Sequence, residues 1–497
     1  MASTQADIID AVRKSIGAPI QLDSLAKATF DQPTSPTSGL VYYDLEPGAK
    51  MLYPMLTPLR NMVPRVSGKG GIQAAWRAIT GINTSGMRIG VSAGNRGGVQ
   101  VVSTKDYTAS YKGIGIEGNA TFEAQYAAQN FDDIRAKAQL TTLQSMMLGE
   151  EAMILGGNTS LALGQTPTPT VAALATGGTL PAQTWSVICV ALSHEGLING
   201  SVVGGIQSTI VRTNADSSVD TFGGGAAKQS TASQVATTGA GSSLTASIPV
   251  VSGALGYAWF WGAPGAEALG AISTISSIVI AAPATGTQTA ASLGTVDRST
   301  SSLAFDGLLT QAFAAGSGAY VITMPPGAAG VGTPLTADGA GGVVEIDQVL
   351  QYMWDNFRLG PNTAWCSSRD AKNIAKKIVA DGSNSGMKFE VAADRSNIGG
   401  GIMIREYANS AGMAGPTNVS IKTHPNMPQG TILFTTDVLP YPMNDVPTVY
   451  EMICRTDYYS IEWPLRTRKY EYGVYADECI RHYFPPSMAI ITGIGNG

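Results

Sequence analysis

The chain has 497 residues, a formal net charge of −5 and only 13% charged residues. That length exceeds one ordinary hydrophobic core and predicts two or three domains. A chain that is not basic is a poor candidate for a sequence-specific DNA reader, and a soluble monomer ordinarily carries about 25% charged residues. The low charge therefore predicts that contacts between subunits cover much of the surface.

Residues 1–58 are predicted to form an N-terminal arm. A short amphipathic helix pattern is followed by an irregular stretch that contains five prolines, which disfavour regular helix: Pro33, Pro36, Pro47, Pro54 and Pro58. We expect an extended segment that lies across a neighbouring subunit, with a disordered tail as the alternative. The first residues lack the apolar core of a signal peptide, so export is not expected.

Residues 59–118 are predicted to form a cationic hairpin. Gly71–Arg77 and Tyr107–Lys112 alternate in the manner of half-exposed strands, and glycine pairs interrupt the stretch at Gly70–Gly71 and Gly97–Gly98. Between Arg60 and Lys112 one acid, Asp106, accompanies eight cations: Arg60, Arg65, Lys69, Arg77, Arg88, Arg96, Lys105 and Lys112. We expect the hairpin to reach out from the body and its cations to contact acidic groups of adjacent subunits.

Within residues 119–159 a long helix is predicted over Phe131–Leu155. Its apolar positions recur at helical spacing: Ala136, Leu140, Leu143, Met147 and Ile154. Asn130 is predicted to cap the helix, and Gly156–Gly157 to end it. Four acids are interpreted as partners of the helix dipole and solvated side chains, not as paired catalytic carboxylates: Asp132, Asp133, Glu150 and Glu151.

Residues 160–344 differ from the rest in composition. Only ten of these residues are charged, and Gly, Ala, Ser and Thr dominate. Short β-rich runs such as Trp185–Val190, Gly256–Trp261 and Ser277–Ile280 lie between turn-forming stretches. Such spacing predicts a β-sandwich. A polar linker is the alternative, although a disordered segment would lack aromatic clusters such as Trp259–Trp261.

Residues 345–497 return to ordinary composition and are predicted to form a mixed α/β domain that the preceding segment interrupts. A helix over Glu345–Phe357, an apolar strand at Thr363–Cys366 and a second helix over Arg369–Val379 come first. Further strands are predicted towards the end of the chain: Gly401–Tyr407, Val419–Thr423, Thr431–Phe434, Tyr458–Trp463, Lys469–Tyr475 and Ala489–Thr492.

No catalytic, metal or cofactor motif is recognised. His194, His424 and His482 have no ligand-spaced companions, so ordinary hydrogen-bonded or surface histidines are expected. Gly399–Gly401 opens a strand and not a helix, which favours a turn over a phosphate cradle. Four scattered cysteines predict buried, reduced thiols: Cys189, Cys366, Cys454 and Cys479.

The order of these parts resembles that of the major capsid proteins of tailed bacteriophages, which share the HK-ninety-seven-like fold. Phe131–Asn158 resembles their spine helix with its glycine exit, and Asn426–Phe434 resembles the turn before a strand of their core. Glu345–Leu350 and Met488–Gly495 resemble the following helix and the closing strand. The resemblance covers about residues 1–159 and 345–497.

The resemblance implies an α+β fold with five parts. These are an arm (1–58), an E-loop hairpin (59–118), a peripheral domain with the spine helix (119–159), an insertion (160–344), and an axial domain that returns to the peripheral domain (345–497). Ser252–Trp259 resembles a strand of immunoglobulin-like modules, so the insertion is expected to be immunoglobulin-like and exposed on the outer face.

The implied function is structural, with no enzymatic activity and no cofactor. Pentamers and hexamers of the chain would form an icosahedral shell around double-stranded DNA, made in the host cytoplasm and carried in the virion. Portal, scaffold and decoration proteins are further candidate partners. An encapsulin-type compartment and a β-rich surface adhesin are the alternatives. Some members of the family cross-link subunits covalently, and Lys69 with Asn397 or Asn496 is the candidate pair here; Lys69 is expected instead to form salt bridges.

Overall fold

A computed structural model describes residues 50–82, 89–129, 132–379, 404–409 and 418–497. Residue contacts divide the chain into two units, and nearly all elements given below belong to the larger one, Pro54–Phe122 with Arg135–Gly497. Most of the predicted arm and the predicted cap Asn130 lie outside the described residues.

The fold is a mixed α+β fold with few helices and many strands. The described helices are α1 Pro58–Met62, α2 Phe122–Ala127, α3 Ile134–Gly156, α4 His194–Ile198, α5 Leu308–Phe313, α6 Val344–Phe357 and α7 Ser368–Val379. The first strands are β1 Arg65–Ser67, β2 Gln73–Ile82, β3 Val102–Ser110, β4 Lys112–Thr121, β5 Thr170–Leu174, β6 Thr184–Leu192, β7 Thr209–Thr213, β8 Val219–Gly223, β9 Ser233–Ala236 and β10 Ser243–Ser247. The later strands are β11 Gly256–Gly262, β12 Ala268–Ser273, β13 Ser277–Ile280, β14 Tyr320–Thr323, β15 Thr363–Cys366, β16 Glu406–Ala408, β17 Asn418–Thr423, β18 Ile432–Thr435, β19 Tyr450–Glu462, β20 Lys469–His482 and β21 Ala489–Thr492.

A six-stranded mixed sheet forms the largest core, in the order β14-β21-β18-β15-β17-β16. Its central strands β15, β18 and β21 are buried at every position, which explains why they read as continuous apolar runs and not as alternating patterns. Trp365, Phe434 and Ile490 lie in this core together with Val349 and Met353 of α6.

The charge-poor segment returns to this core before residue 344, the predicted end of the insertion. Strand β14 pairs in parallel with β21, and Leu308, Leu309 and Phe313 of α5 pack into the same core. Composition conceals the return because residues 308–343 keep the Gly/Ala-rich, charge-poor character of the segment that precedes them.

A second sheet, in the order β1-β19-β20-β4, lies beneath the long helix. Met146 of α3 packs against Val474 and Ala476 of β20. Strand β4 was not predicted from the sequence, in which residues 113–129 were expected only to join the hairpin to the helix. Its glycines explain the miss: a Cβ at Gly115 would lie 2.2 Å from the Tyr475 ring, so the strand gives up side chains to admit an aromatic ring of β20.

The long helix runs over Ile134–Gly156, close to its predicted bounds, and its 23 residues span about 35 Å. Its buried side differs from the predicted apolar stripe, because Leu140 is 51% exposed. The fully buried positions instead include two of the acids expected to be solvated: Thr142, Met146, Glu150, Glu151, Ile154, Leu155 and Gly156.

Residues 170–280 contain two antiparallel sheets packed face to face, β13-β10-β5 and β12-β11-β6-β9. Trp185 and Trp259 of the four-stranded sheet share a core with Leu244 and Ile280 of the three-stranded sheet. The opposite face of β6 and β11 is covered by a further apolar cluster that includes Phe260. Both faces of these two strands are therefore buried, which explains why they read as continuous apolar runs.

Candidate assembly surface

A two-stranded hairpin, β2 with β3, extends from the second sheet. The strands pair antiparallel from Gln73 opposite Ser110 to Ile82 opposite Val102, and no residue of either strand is fully buried. The stacked rings of Trp76 and Tyr107, 5.7 Å apart, form its main cross-strand contact. An isolated hairpin of two strands is at best marginally stable in water, so this element needs support from elsewhere.

The outer end of the hairpin, comprising Ile79, Ile82 and residues 89–102, is rich in apolar side chains that water reaches. All described residues from 89 to 102 are exposed. The apolar members are Ile79, Ile82, Ile89, Val91, Val99, Val101 and Val102, with Val99 92% exposed. A concentration of exposed apolar side chains of this kind is typical of a site for another macromolecule.

The root of the hairpin is fixed by a buried ionic network. Glu150 of α3 accepts from Arg60 Nε at 3.1 Å and from Arg65 Nη1 at 2.5 Å, and the Tyr458 hydroxyl donates to the same carboxylate. Arg65 Nη2 also reaches Glu478 Oε2 at 2.6 Å and Asp457 Oδ1 at 2.7 Å. One guanidinium thus joins the chain before the hairpin to the long helix and to both strands β19 and β20.

Glu151, the next residue of α3, also holds the chain that precedes the hairpin. Its two oxygens accept from the backbone N–H groups of Leu59 and Arg60, at 2.9 and 2.6 Å. The ring of His424, from the turn between β17 and β18, lies 2.5 Å from the same carboxylate. The carboxylate is buried, and these partners satisfy it without solvent.

The electrostatics of the network centre on Glu478. Burial and the nearby Glu150 raise the pKa of its carboxyl, Arg65 opposes the shift, and the net result is a pKa of about 7. Its Oε1 atom has no hydrogen-bond partner within the described chain. For Arg65, burial alone would lower the pKa, but Glu478, Asp457 and Glu150 outweigh that effect and raise it.

The eight cations expected at subunit contacts have different surroundings within one chain. Arg60 and Arg65 pair with Glu150 and Glu478 of the same subunit, whereas acidic groups of adjacent subunits were expected as their partners. Arg77 pairs with Asp106 across the hairpin. Lys105 and Lys112 donate to the carbonyl groups of Gly316 and Ser302 at 2.9 and 2.7 Å.

The remaining cations of that set are Lys69, Arg96 and Arg88. Neither Lys69 nor Arg96 has a hydrogen-bond or ion-pair partner among the residues that the structure describes, and Arg88 lies outside them. Asn397, one of the two acceptors weighed for cross-linking, also lies outside them, while Asn496 accepts a hydrogen bond from Asn373.

The histidines and cysteines are placed in the interior. His194 and His424 are buried and hydrogen-bonded, and His482 is buried with neither ring nitrogen paired. All four cysteines are buried free thiols. Over the described ranges no group of three or more His, Cys, Asp or Glu side chains is arranged to hold a metal ion, and no helix is both long and apolar enough to span a bilayer.

The buried carboxylates Glu150 and Glu151 are the functional residues that sequence reasoning missed. A signal was present: Glu150 lies four residues after Met146 and four before Ile154, so it shares the buried side of the helix. An acid on the buried side of a helix needs a cation. Arg60 and Arg65, upstream in sequence, provide it.

Comparison with known proteins gives solved structures alone, since neither a family model nor a curated protein matches the sequence. An encapsulin complex from Synechococcus elongatus is 8% identical, with 96% of each chain covered and a TM-score of 0.38. The capsid of cyanophage P-SCSP1u is 7% identical over 95% of this chain and 100% of that chain, with a TM-score of 0.40.

The capsid of Myoviridae phage XM1 is 8% identical over 92% of this chain and 99% of that chain, also with a TM-score of 0.40. Two of these three structures are phage capsids, the class of protein that the order of the elements resembles. At these identities and TM-scores the function has to be argued from the geometry of the chain itself.

Proposed function

We propose that this chain is a structural subunit that assembles into a closed shell, as the major capsid protein of a tailed double-stranded DNA phage. One observation carries the proposal: a hairpin with a firmly anchored root and an exposed apolar outer end. The buried network at Arg65 and Glu150 fixes the direction in which the hairpin leaves the body. Its outer end then offers apolar surface for which the described chain provides no cover.

An anchored projection that binds a different surface of a second copy makes a heterologous contact, which repeats from copy to copy until the assembly closes. The low charge content agrees with this arrangement, because side chains covered in an assembly need not be charged. A catalytic role has no comparable support, so we assign the chain no enzymatic activity.

Under this proposal each part of the chain has a role in the capsid. The hairpin corresponds to an E-loop and α3 to a spine helix on the peripheral domain, while the six-stranded sheet corresponds to the axial domain. The two-sheet segment between residues 170 and 280 corresponds to an immunoglobulin-like insertion on the outer face. Pentamers and hexamers would enclose DNA without reading its sequence, and portal, scaffold and decoration proteins are the expected partners in the virion.

The test uses the full chain expressed alone and examined by electron microscopy and sedimentation velocity. The wild type is expected to form closed particles of many copies. A variant with Ile82→Asp and Val99→Asp places charges at the outer end of the hairpin and should raise the concentration needed for assembly at least tenfold. Val211→Asp, at a residue 65% exposed on β7, is the matched control.

Equal assembly of the outer-end variant and its control would contradict the role given to the hairpin. The contents of particles recovered from infected or producing cells separate the two shell classes. Double-stranded DNA of genome length supports a capsid. An enzyme cargo without DNA would instead assign the chain to compartments of the encapsulin type.

A further inference from the structure

A cavity of about 440 Å³ lies between strand β3 of the hairpin and the body of the subunit. Helix α5 and the turn that follows it supply the wall opposite β3. None of the described residues at the outer end of the hairpin lines this cavity. Its volume falls within the range of small-molecule sites, roughly 300–1,000 Å³.

Two lysine side chains place positive charge in the wall of the cavity. Lys105 Nζ of β3 donates to the Gly316 carbonyl at 2.9 Å. Lys112 Nζ of β4 donates to the Ser302 carbonyl at 2.7 Å. An ammonium group has three donors, and neither lysine forms an ion pair within the part of the chain that the structure describes. Both charges are therefore available to an anion.

Asp306 is the one acid among the described residues that line the cavity, and it is already engaged. Its Oδ1 atom accepts from the backbone N–H groups of Thr159 and Ser160, at 2.8 and 3.1 Å. The wall thus has two ammonium groups and one carboxylate, which leaves a net positive charge. Such a wall favours an anionic ligand over a neutral or a cationic one.

His482 adds a polar side chain that the described chain does not satisfy. It lines the cavity, is 2% exposed, and neither ring nitrogen has a hydrogen-bond partner. Burial lowers the pKa of His482 to about 3, so the ring is neutral and has one donor and one acceptor. The buried Nε1 of Trp76, which also lines the cavity, is likewise unpaired. Because buried polar groups are nearly always hydrogen-bonded, these nitrogens favour a ligand with polar atoms.

The remaining surface of the cavity suits a planar apolar body. Trp76, Tyr107 and Phe305 line it together with alanine residues. Aromatic side chains bury a large apolar area and pack well against other rings. Lys105 Nζ lies 4.9 Å from the centroid of the Tyr107 ring, so positive charge and aromatic surface are adjacent.

We propose that this cavity binds a small aromatic anion, a ring system that bears one anionic group. Lys105 and Lys112 provide the positive charge for that group, and the ring system packs against Tyr107 and Phe305. Because the walls come from both the hairpin and the body, the bound molecule holds the hairpin in one orientation. The site lies within a single chain, so the proposal does not depend on assembly of a shell.

The first test uses a matched pair of probes on the full chain, kept too dilute to assemble. Naphthoate and its uncharged amide have nearly the same shape and differ in charge. Equilibrium titration, followed by the fluorescence of the probe, should show naphthoate binding about tenfold or more tightly than the amide, because hydrogen bonds to a charged group are the stronger ones. Equal affinity for the two probes, or binding of neither, would overturn the proposal.

The second test removes the charge from the wall. A chain with Lys105→Gln and Lys112→Gln keeps side-chain N–H donors at both positions and should bind naphthoate about tenfold or more weakly, with little change for the amide. Lys69→Gln, at an exposed lysine outside the cavity, is the matched control. The melting temperatures without probe should stay within about 2 °C of the wild type.

The third test fills the cavity from an exposed residue of its wall. Ala315→Trp should abolish naphthoate binding, whereas Ala215→Trp, at an exposed residue outside the cavity, should not. In the wild type, saturating naphthoate should slow hydrogen exchange in β3 and in residues 314–317 together. Unchanged binding by Ala315→Trp, or protection confined to the outer end of the hairpin, would place the probe on another surface and contradict the assignment.

Discussion

Glu478 shows how closely the charges are balanced at the root of the hairpin. Three carboxylates of the network, Glu150, Glu478 and Asp457, face two guanidinium groups, Arg60 and Arg65. One acid is therefore in excess. The unpaired Oε1 of Glu478 and its raised pKa lead us to expect that this acid binds the extra proton as pH falls towards neutral.

The pH dependence of stability should reveal this proton. Because burial raises the pKa of Glu478 from 4.5 to about 7, the folded chain binds more protons than the unfolded chain between those values. Its contribution to the free energy of unfolding is largest below this window and falls as pH rises through it, by at most roughly 3 kcal/mol. Glu478→Gln should remove this loss.

The measurement is chemical denaturation of subunits kept dilute enough not to assemble, at pH 5 and pH 8. The groups that face Glu478 are Arg65, Glu150 and Cys454, with Lys112 opposite it on β4, and all remain in the variant. Glu462→Gln, at an exposed acid, is the control. Identical pH dependence in wild type and Glu478→Gln would show that Glu478 is ionised throughout.

Substitution of Glu151 should lower the free energy of unfolding more than substitution of Glu478 does. Glu151→Ala leaves the N–H groups of Leu59 and Arg60 and the ring of His424 without their acceptor in a buried site. We expect a loss of about 3 kcal/mol in the free energy of unfolding. Hydrogen exchange of the α1 backbone should accelerate. Asp355→Asn, at an exposed residue of α6, should change stability by less than about 0.5 kcal/mol.

At the scale of elements, helical periodicity and apolar runs in the sequence predicted most of the helices and strands. The bounds of α3 and the buried strands β15, β18 and β21 agree with the sequence pattern. Strand β4 was not recognised because its side-chain pattern is interrupted by glycines that admit tyrosine rings from another strand. A pattern within one segment cannot reveal a ring supplied by residues some 360 positions later.

The sequence predicted only part of the candidate site, because a pattern within one segment cannot reveal contacts with residues that are distant in sequence. The cationic character of the hairpin is local, so the sequence displayed it. The burial of Glu150 and Glu151 depends on Arg65, His424 and β20, which are distant in sequence. Composition likewise hid the point at which β14 rejoins the main sheet, because strand pairing and not residue type defines that boundary.

The hairpin should open locally without unfolding of the body of the subunit. Trp76→Ala removes the stack on Tyr107 and the edge contact with Tyr483, interactions worth about 0.5–1.5 kcal/mol beyond area burial. Hydrogen exchange in β2 and β3 should rise several-fold while the melting temperature of the body stays within about 2 °C. A matched loss of protection in the six-stranded sheet would contradict this independence.

At the scale of the whole molecule, the subunit combines well-packed cores with surface that it cannot cover by itself. The largest core unites the six-stranded sheet with α5 and α6, and the two-sheet segment has a core of its own. Against these stands the apolar outer end of the hairpin, which is exposed in the single chain. In the proposed shell a neighbouring copy covers this outer end, and the ordering of the hairpin is stabilised between chains.

The state of association of the purified full-length chain tests this account most directly. Sedimentation velocity across a hundredfold range of concentration, with electron microscopy of the same samples, should give closed particles of many copies whose hairpin amides are protected from hydrogen exchange. A single monomeric species at the highest concentration, with β2 and β3 exchanging freely, would contradict it.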